Sequence, residues 1–234
     1  MNPTNPPRRQ IWGRRLGPRL RERQKHLLDH LLPQIALDLT ATPALEPQAL
    51  FAGKRAIWLE IGFGGGEHLA AQARANPDVG LIGVEPFVTG VAKLLAEIEN
   101  HGLRTIRLAV DDARLVLRAL PDASLERVFV LFPDPWPKAR HHKRRIVNDA
   151  TLSDMARVLA DGGELRLATD HMGYALWMLE HLQRQSAFDW LAERPVDWRA
   201  RTDDWPATRY EQKAVAAGRK PVFLRYRRRA REGA

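Results

Sequence analysis

The sequence predicts an α/β domain built on a mostly parallel sheet with helices on both faces. Three observations lead there. Short apolar runs alternate with segments of helical period from residue 56 to residue 185. Several of these runs stop at glycine, proline or an acid, residues suited to turning the chain at the end of a strand. A length of 234 residues provides one substantial core of this kind and is short for two.

Residues 1–25 carry Pro3, Pro6, Pro7 and Pro18 among arginines, with few apolar side chains to bury, and read as a basic, flexible N-terminal arm. Residues 26–234 read as a single domain ending in a basic C-terminal tail. Leu27, Leu28, Leu31, Leu32 and Ile35 give the stretch from Gln24 to Leu39 a helical spacing that Pro33 interrupts. The alternation then begins with a strand from Ala56 to Ile61, a helix from Glu67 to Ala75, a strand from Val79 to Val84 and a helix from Val88 to Asn100. A strand from Thr105 to Val110, a helix from Ala113 to Leu120, a strand from Arg127 to Phe132 and a helix from Asp149 to Leu159 continue it. Gly162 and Gly163 turn the chain into a strand from Glu164 to Ala168, and a helix follows from Tyr174 to Gln185. Strands and helices at this spacing imply βαβ units, whose ligands bind beyond the carboxyl ends of the strands.

Charge is unevenly distributed. The net charge is +9, yet residues 1–25, 137–145 and 219–234 carry +7, +5 and +6, which leaves −9 for everything else. Segregated basic charge suits a phosphate backbone, because each phosphate neutralised releases condensed counterions. The absence of cysteine excludes thiolate metal sites, iron–sulfur clusters and methylation through a cysteine adduct. No apolar run approaches the roughly 18–20 residues that span a bilayer, and the N-terminus has no apolar leader, so a cytoplasmic protein is expected. His141 and His142 stand among cations with no acid nearby in sequence, and no metal is expected there.

The first strand runs into Glu60, Ile61, Gly62, Phe63, Gly64, Gly65, Gly66 and Glu67. Glycines let a backbone turn sharply and approach a ligand where a Cβ would collide. The dinucleotide fingerprint starting at Gly62 needs glycine or alanine at position 67, and Glu67 stands there instead. The E-x-G-x-G-x-G pattern of methyltransferases is met in full by Glu60, Gly62, Gly64 and Gly66. It points to S-adenosylmethionine, which has no phosphate, and to the Rossmann-like fold of class I S-adenosylmethionine-dependent methyltransferases. Glu85, 23 residues beyond Gly62 at the end of the second strand, is placed to accept hydrogen bonds from two ribose hydroxyls. Asp112, at the end of the third strand, reads either as an adenine-side ligand or as a plain helix N-cap.

The fourth strand delivers Leu131, Phe132, Pro133, Asp134, Pro135, Trp136, Pro137 and Lys138, then Ala139, Arg140, His141, His142, Lys143, Arg144 and Arg145. Two prolines restrict the backbone around Asp134, Trp136 offers a flat face for a base, and the cations can take flanking phosphates. These residues, with the glycine turn, the segment from Gly83 to Phe87, Thr169-Asp170, and Thr208-Arg209-Tyr210-Glu211, resemble the TrmB family of tRNA (guanine-N7-)-methyltransferases from about Gln24 to Arg229. By that resemblance Glu60, Glu85, Asp112 and Asp134 contact S-adenosylmethionine, and Asp134 is the catalytic acid residue. Lys138, Asp170, Thr208, Arg209, Tyr210 and Glu211 match substrate-binding positions, and Arg140, Lys143, Arg144 and Arg145 an RNA-contacting loop. The resemblance implies tRNA as partner, with the guanosine at position 46 of the variable loop as target. Arg209 stands where the family commonly has lysine and His142 where it commonly has asparagine.

Guanine N7 has an in-plane lone pair, so its methylation requires alignment and no general base. The methylated ring is cationic, and a fixed carboxylate such as Asp134 can stabilise that charge as it develops, with Asp170 assisting at the next strand end. Two other readings are weighed. A nucleic-acid amino-group methyltransferase carries D/N-P-P-Y/F/W, and here the second proline is displaced past Trp136. An RNA-binding protein on an inactive methyltransferase fold would have been free to lose the acids and glycines that this chain retains. The sequence leaves open whether the protein is a monomer or a homodimer.

Overall fold

The computed structural model describes residues 11, 12, 17, 19–39 and 44–232. Helices α1 (Glu22–His30), α2 (Leu32–Ile35) and α3 (Pro47–Leu50) precede the sheet. Pro33 falls in the first turn of α2, where its missing N–H breaks no helical bond. The alternating part follows as β1 (Ala56–Ile61), α4 (Glu67–Ala75), β2 (Val79–Val84), α5 (Val88–His101), β3 (Ile106–Ala109), α6 (Ala113–Ala119) and β4 (Leu125–Leu131). A 3₁₀ turn (Ala139–Arg144) leads to α7 (Asp149–Val158), β5 (Leu159–Thr169), α8 (Met172–Gln183), β6 (Phe188–Trp190), α9 (Val196–Arg199), α10 (Arg209–Ala216) and β7 (Val222–Arg228).

These strands form one seven-stranded sheet in the order β3-β2-β1-β4-β5-β7-β6. The strands from β3 to β5 are parallel, and β7 runs antiparallel to both its neighbours. Side-chain alternation sends Leu59, Val128 and Val130 to a core against α6, α7 and α8. It sends Trp58 and Phe129 to the opposite core against α1, α4 and α5. With both faces covered, the central strands read as continuous apolar runs. The chain leaves β1 toward β2 and β3 on one side and returns to β4 and β5 on the other. The crevice at the carboxyl ends of β1 and β4 is therefore the topological switch point, where this architecture opens for a ligand.

Most expected boundaries shift by a residue or two, and two expectations differ by more. β5 begins at Leu159, five residues before the expected Glu164, and between its pairings Leu125↔Leu159 and Arg127↔Glu164 it bulges around Gly162, whose φ is +78°. The basic C-terminal tail is instead largely the sheet strand β7. Val222, Leu224 and Tyr226 enter one core and Phe223 the other. Several of its arginines are engaged within the fold: Arg225 donates to Glu164 at 2.6 Å and Arg229 to Asp189 at 2.7 Å. Arg231 pairs with Asp161 and donates to the carbonyls of Arg157 and Leu159. Most of the expected N-terminal arm lies outside the described residues. Of those described, Gly17 donates its N–H to Thr89 Oγ1 at 3.2 Å, and Ile11 and Trp12 lie against the cavity described next.

Candidate active site

At the switch point lies a cavity of about 440 Å³, within the range that holds small-molecule ligands. The loop after β1 forms one wall. Its glycines 62, 64 and 66 have φ of +73°, +56° and +80°, a left-handed conformation that side-chain-bearing residues avoid. Glu85 braces this loop from the end of β2: Oε2 accepts the N–H of Gly64 at 2.8 Å and Oε1 that of Phe87 at 2.9 Å. Burial raises the Glu85 carboxyl, the two amide bonds oppose the rise, and the charges of Asp134 and Glu60 add to it. Gly90, on α5, was not anticipated as part of the site. A Cβ there would fall 2.1 Å from the carbonyl oxygen of Gly64, so only glycine lets α5 pack beneath the loop.

Asp111 and Asp112 line the far side. Asp112 is the N-cap of α6, taking the N–H of Arg114 at 3.0 Å, and it also faces the Arg114 guanidinium at 3.2 Å. The capping role and a place on the cavity wall therefore coexist in one carboxylate. From the end of β4, Phe132, Pro133, Asp134 and Trp136 complete the mouth. Phe132 and Trp136 have φ of +50° and +42°, which bulky residues adopt only under constraint from their surroundings. Asp134 is exposed at the mouth, and desolvation by the walls around it still raises its carboxyl.

The expected site residues do not all reach the cavity. Glu60 is buried beneath it, with Oε2 2.7 Å from His68 Nδ1, and Gly66 serves as the N-cap of α4. Lys138 is exposed at the start of the 3₁₀ turn, and Asp170 is paired with Arg219 at 2.7 Å. Thr208 caps α10, accepting the N–H of Glu211 at 3.1 Å, while Glu211 turns to Arg201 at 3.0 Å. Arg209 is exposed, and Tyr210 lies on the cavity wall with its ring edge 3.1 Å from where a Cβ of Gly64 would stand. Arg140 and Lys143 are exposed on the 3₁₀ turn, and the Arg144 guanidinium carbon lies 4.7 and 4.8 Å from the ring centres of Trp12 and Trp136.

Arg145 departs from the expected RNA-contacting loop. It is 3% exposed, donates to the Pro135 carbonyl at 2.8 Å and lies over the rings of Tyr174 and Trp177, so it fastens the Asp134 loop to α8. Ile11, Trp12, Gly90 and the partner of Glu60, His68, had no sequence signal of their own. Ile11, Trp12 and Gly90 matter through neighbours distant in the chain, and His68 through a partner on the preceding strand.

Comparison with known proteins identifies the family. Residues 54–224 match a family described as "Putative methyltransferase". A tRNA (guanine-N(7)-)-methyltransferase of Rhodospirillum rubrum is 54% identical, over 94% of this chain and 88% of that protein. One from Nitrobacter hamburgensis is 49% identical, over 93% and 86%. Among solved structures, the antibiotic-resistance methyltransferase Kmr superimposes with a TM-score of 0.54 at 19% identity, over 79% of this chain and 92% of that one, a likeness of fold. Identity near one half, sustained across almost the whole length of both relatives, places this chain in the TrmB family of tRNA (guanine-N7-)-methyltransferases.

Proposed function

We propose that the protein transfers a methyl group from S-adenosylmethionine to N7 of a guanosine in tRNA, at position 46 of the variable loop, in the cytoplasm. The observation that carries this reading is one shared mouth. Asp134 and Trp136 open onto the same cavity as the Glu85-braced glycine loop, with exposed Arg140 and Lys143 on the adjoining 3₁₀ turn. The residues present fit the cofactor. The cavity is large enough, the left-handed glycines leave room for close backbone approach, and acids rim it at the ends of β2, β3 and β4.

In this reading Gly62 and Gly64 form the floor, Glu85 and Asp112 stand at the ribose and adenine side, and Asp134 stands at the amino-acid end. When bound, S-adenosylmethionine supplies an electrophilic methyl group. The protein's own residues align the base: Trp136 offers a stacking face, and the Asp134 carboxylate accepts from the guanine edge and stabilises the cationic ring as it forms. No general base is required, since N7 carries no proton. Glu211 supports a part in base recognition, because its second carboxylate oxygen is buried without a partner among the described residues. Arg140, Lys143 and Lys138 take backbone phosphates.

The direct test is incubation with S-adenosylmethionine and bulk tRNA followed by mass analysis of nucleosides. N7-methylguanosine is expected. N6-methyladenosine would replace this reading with an amino-group methyltransferase, and unmodified tRNA would leave an RNA-binding protein on an inactive fold.

A further inference from the structure

Beneath the cavity a buried polar chain joins two segments far apart in sequence. Glu60 Oε2 lies 2.7 Å from His68 Nδ1, His68 Nε2 lies 3.2 Å from Gln72 Nε2, and Gln72 Nε2 donates to the main-chain carbonyl of Asp204 at 2.8 Å. Glu60, His68 and Gln72 are each 2–3% exposed. The direction of every bond follows from its far end. A carbonyl can only accept, so the Gln72 amide group faces Asp204. Asn76 donates to Gln72 Oε1 at 3.0 Å and holds the amide in that orientation. The second N–H of Gln72 then points at His68 Nε2, which must accept, so Nδ1 carries the proton and donates to Glu60.

Asp204 is also held from the other side, where Arg166 donates to its carboxylate at 3.0 and 2.8 Å. Trp205 beside it is fully buried. Three residues further on, Thr208 caps the helix whose first turn places Tyr210 against Gly64. The glycine loop is thus held at its root by Glu60 and covered at its tip by Tyr210, and the polar chain connects the two.

We propose that His68 and Gln72 are positioning residues that set the height of Tyr210 over the glycine loop and so tune the affinity of the cofactor cavity. The assignment rests on that cavity being the S-adenosylmethionine site. It assigns work to two helix residues that touch neither cofactor nor RNA, and it explains why a histidine and a glutamine are buried on a helix face that packing alone would make apolar.

The test measures S-adenosylmethionine affinity by calorimetry, with melting temperature recorded alongside. Gln72→Met keeps the length of the side chain and removes both donors. It is expected to weaken binding about tenfold, as is Tyr210→Ala, and the double variant is expected to bind no more weakly than Tyr210→Ala alone. His68→Gln retains one acceptor and one donor and is expected to stay within about twofold of the parent, whereas His68→Leu, with similar bulk and no polarity, is expected to lose about tenfold. Parent-like binding by Gln72→Met, or losses that multiply in the double variant, overturns the proposal. Should Gln72→Met not fold, the His68 pair decides, and equal affinities in its two variants have the same consequence. A parent that does not bind S-adenosylmethionine at all would instead sink the cofactor assignment on which the proposal rests.

Discussion

Two carboxylates at the cavity carry their charge at a cost to the fold. Burial of Glu85 and partial desolvation of exposed Asp134 raise both carboxyls, so the folded chain binds their protons more tightly than the unfolded chain does. For a carboxyl shifted upward, ionisation penalises the folded state, and the penalty grows as pH rises from the ordinary carboxylate range through the raised value. Asp134→Asn is therefore expected to melt slightly higher than the parent at pH 7 and to lose that advantage in acid, where both proteins are uncharged at this position. Methylation at saturating substrates should be largely abolished in the same variant. A pH series of melting curves with single-turnover rates checks both, and an unchanged rate would remove Asp134 from the reaction. Glu85 has a different task, because its carboxylate holds two loop amides as well as facing the cavity. Glu85→Ala is expected to weaken S-adenosylmethionine binding by about 1.5–3 kcal/mol, the loss typical of hydrogen bonds to a charged group. Calorimetry on the folded variant reads this directly.

The 3₁₀ turn shows how one run of cations divides into separate duties. Arg145 is buried over two aromatic rings and holds a loop carbonyl, whereas Arg140 and Lys143 face solvent. Replacing Arg140 and Lys143 together by Ala should make the slope of log tRNA affinity against log salt shallower by about two units, with melting temperature and cofactor affinity unchanged. Arg145→Ala should lower stability by about 1.5–3 kcal/mol, through loss of a charge-assisted hydrogen bond and two ring contacts, and is read from denaturant unfolding. From β1 to β4 the elements were legible almost to the residue, because buried parallel strands are apolar throughout and end in the glycines and acids that turn the chain. β7 was not legible. Its sequence, Val222-Phe223-Leu224-Arg225-Tyr226-Arg227-Arg228, shows apolar alternation only in part, and arginines whose partners lie on β5 and β6 look like a solvated tail until the sheet is seen. The acids and glycines of the site were legible for the same reason as the strands they terminate. The positions of Tyr210, Trp12 and His68 were not, since each depends on a contact across the fold.

At the scale of the whole molecule, the sheet divides into a parallel part from β3 to β5 and an antiparallel pair added at its edge. β7 carries six pairings with β5 and three with β6, and among the described residues β6 pairs with no other strand. A chain shortened after Pro221 is therefore expected to lose cooperative unfolding and solubility, measured by circular dichroism and sedimentation, and not merely tRNA affinity. A folded shortened chain that had lost only salt-sensitive binding would restore the reading of this segment as a tail. The same strand order bears on synthesis. During translation β5 emerges well before the strand that covers it, and until then its free edge exposes unpaired N–H and C=O groups to any other nascent chain nearby. Tyr210 lies in the interval between β6 and β7, so the cavity acquires its cover after the Asp134 loop is made and before that edge is closed. A ribosome stalled between β5 and Tyr210 thus holds a chain with the glycine loop and the Asp134 loop already made, a cavity without its cover, and an open sheet edge that invites aggregation or a chaperone.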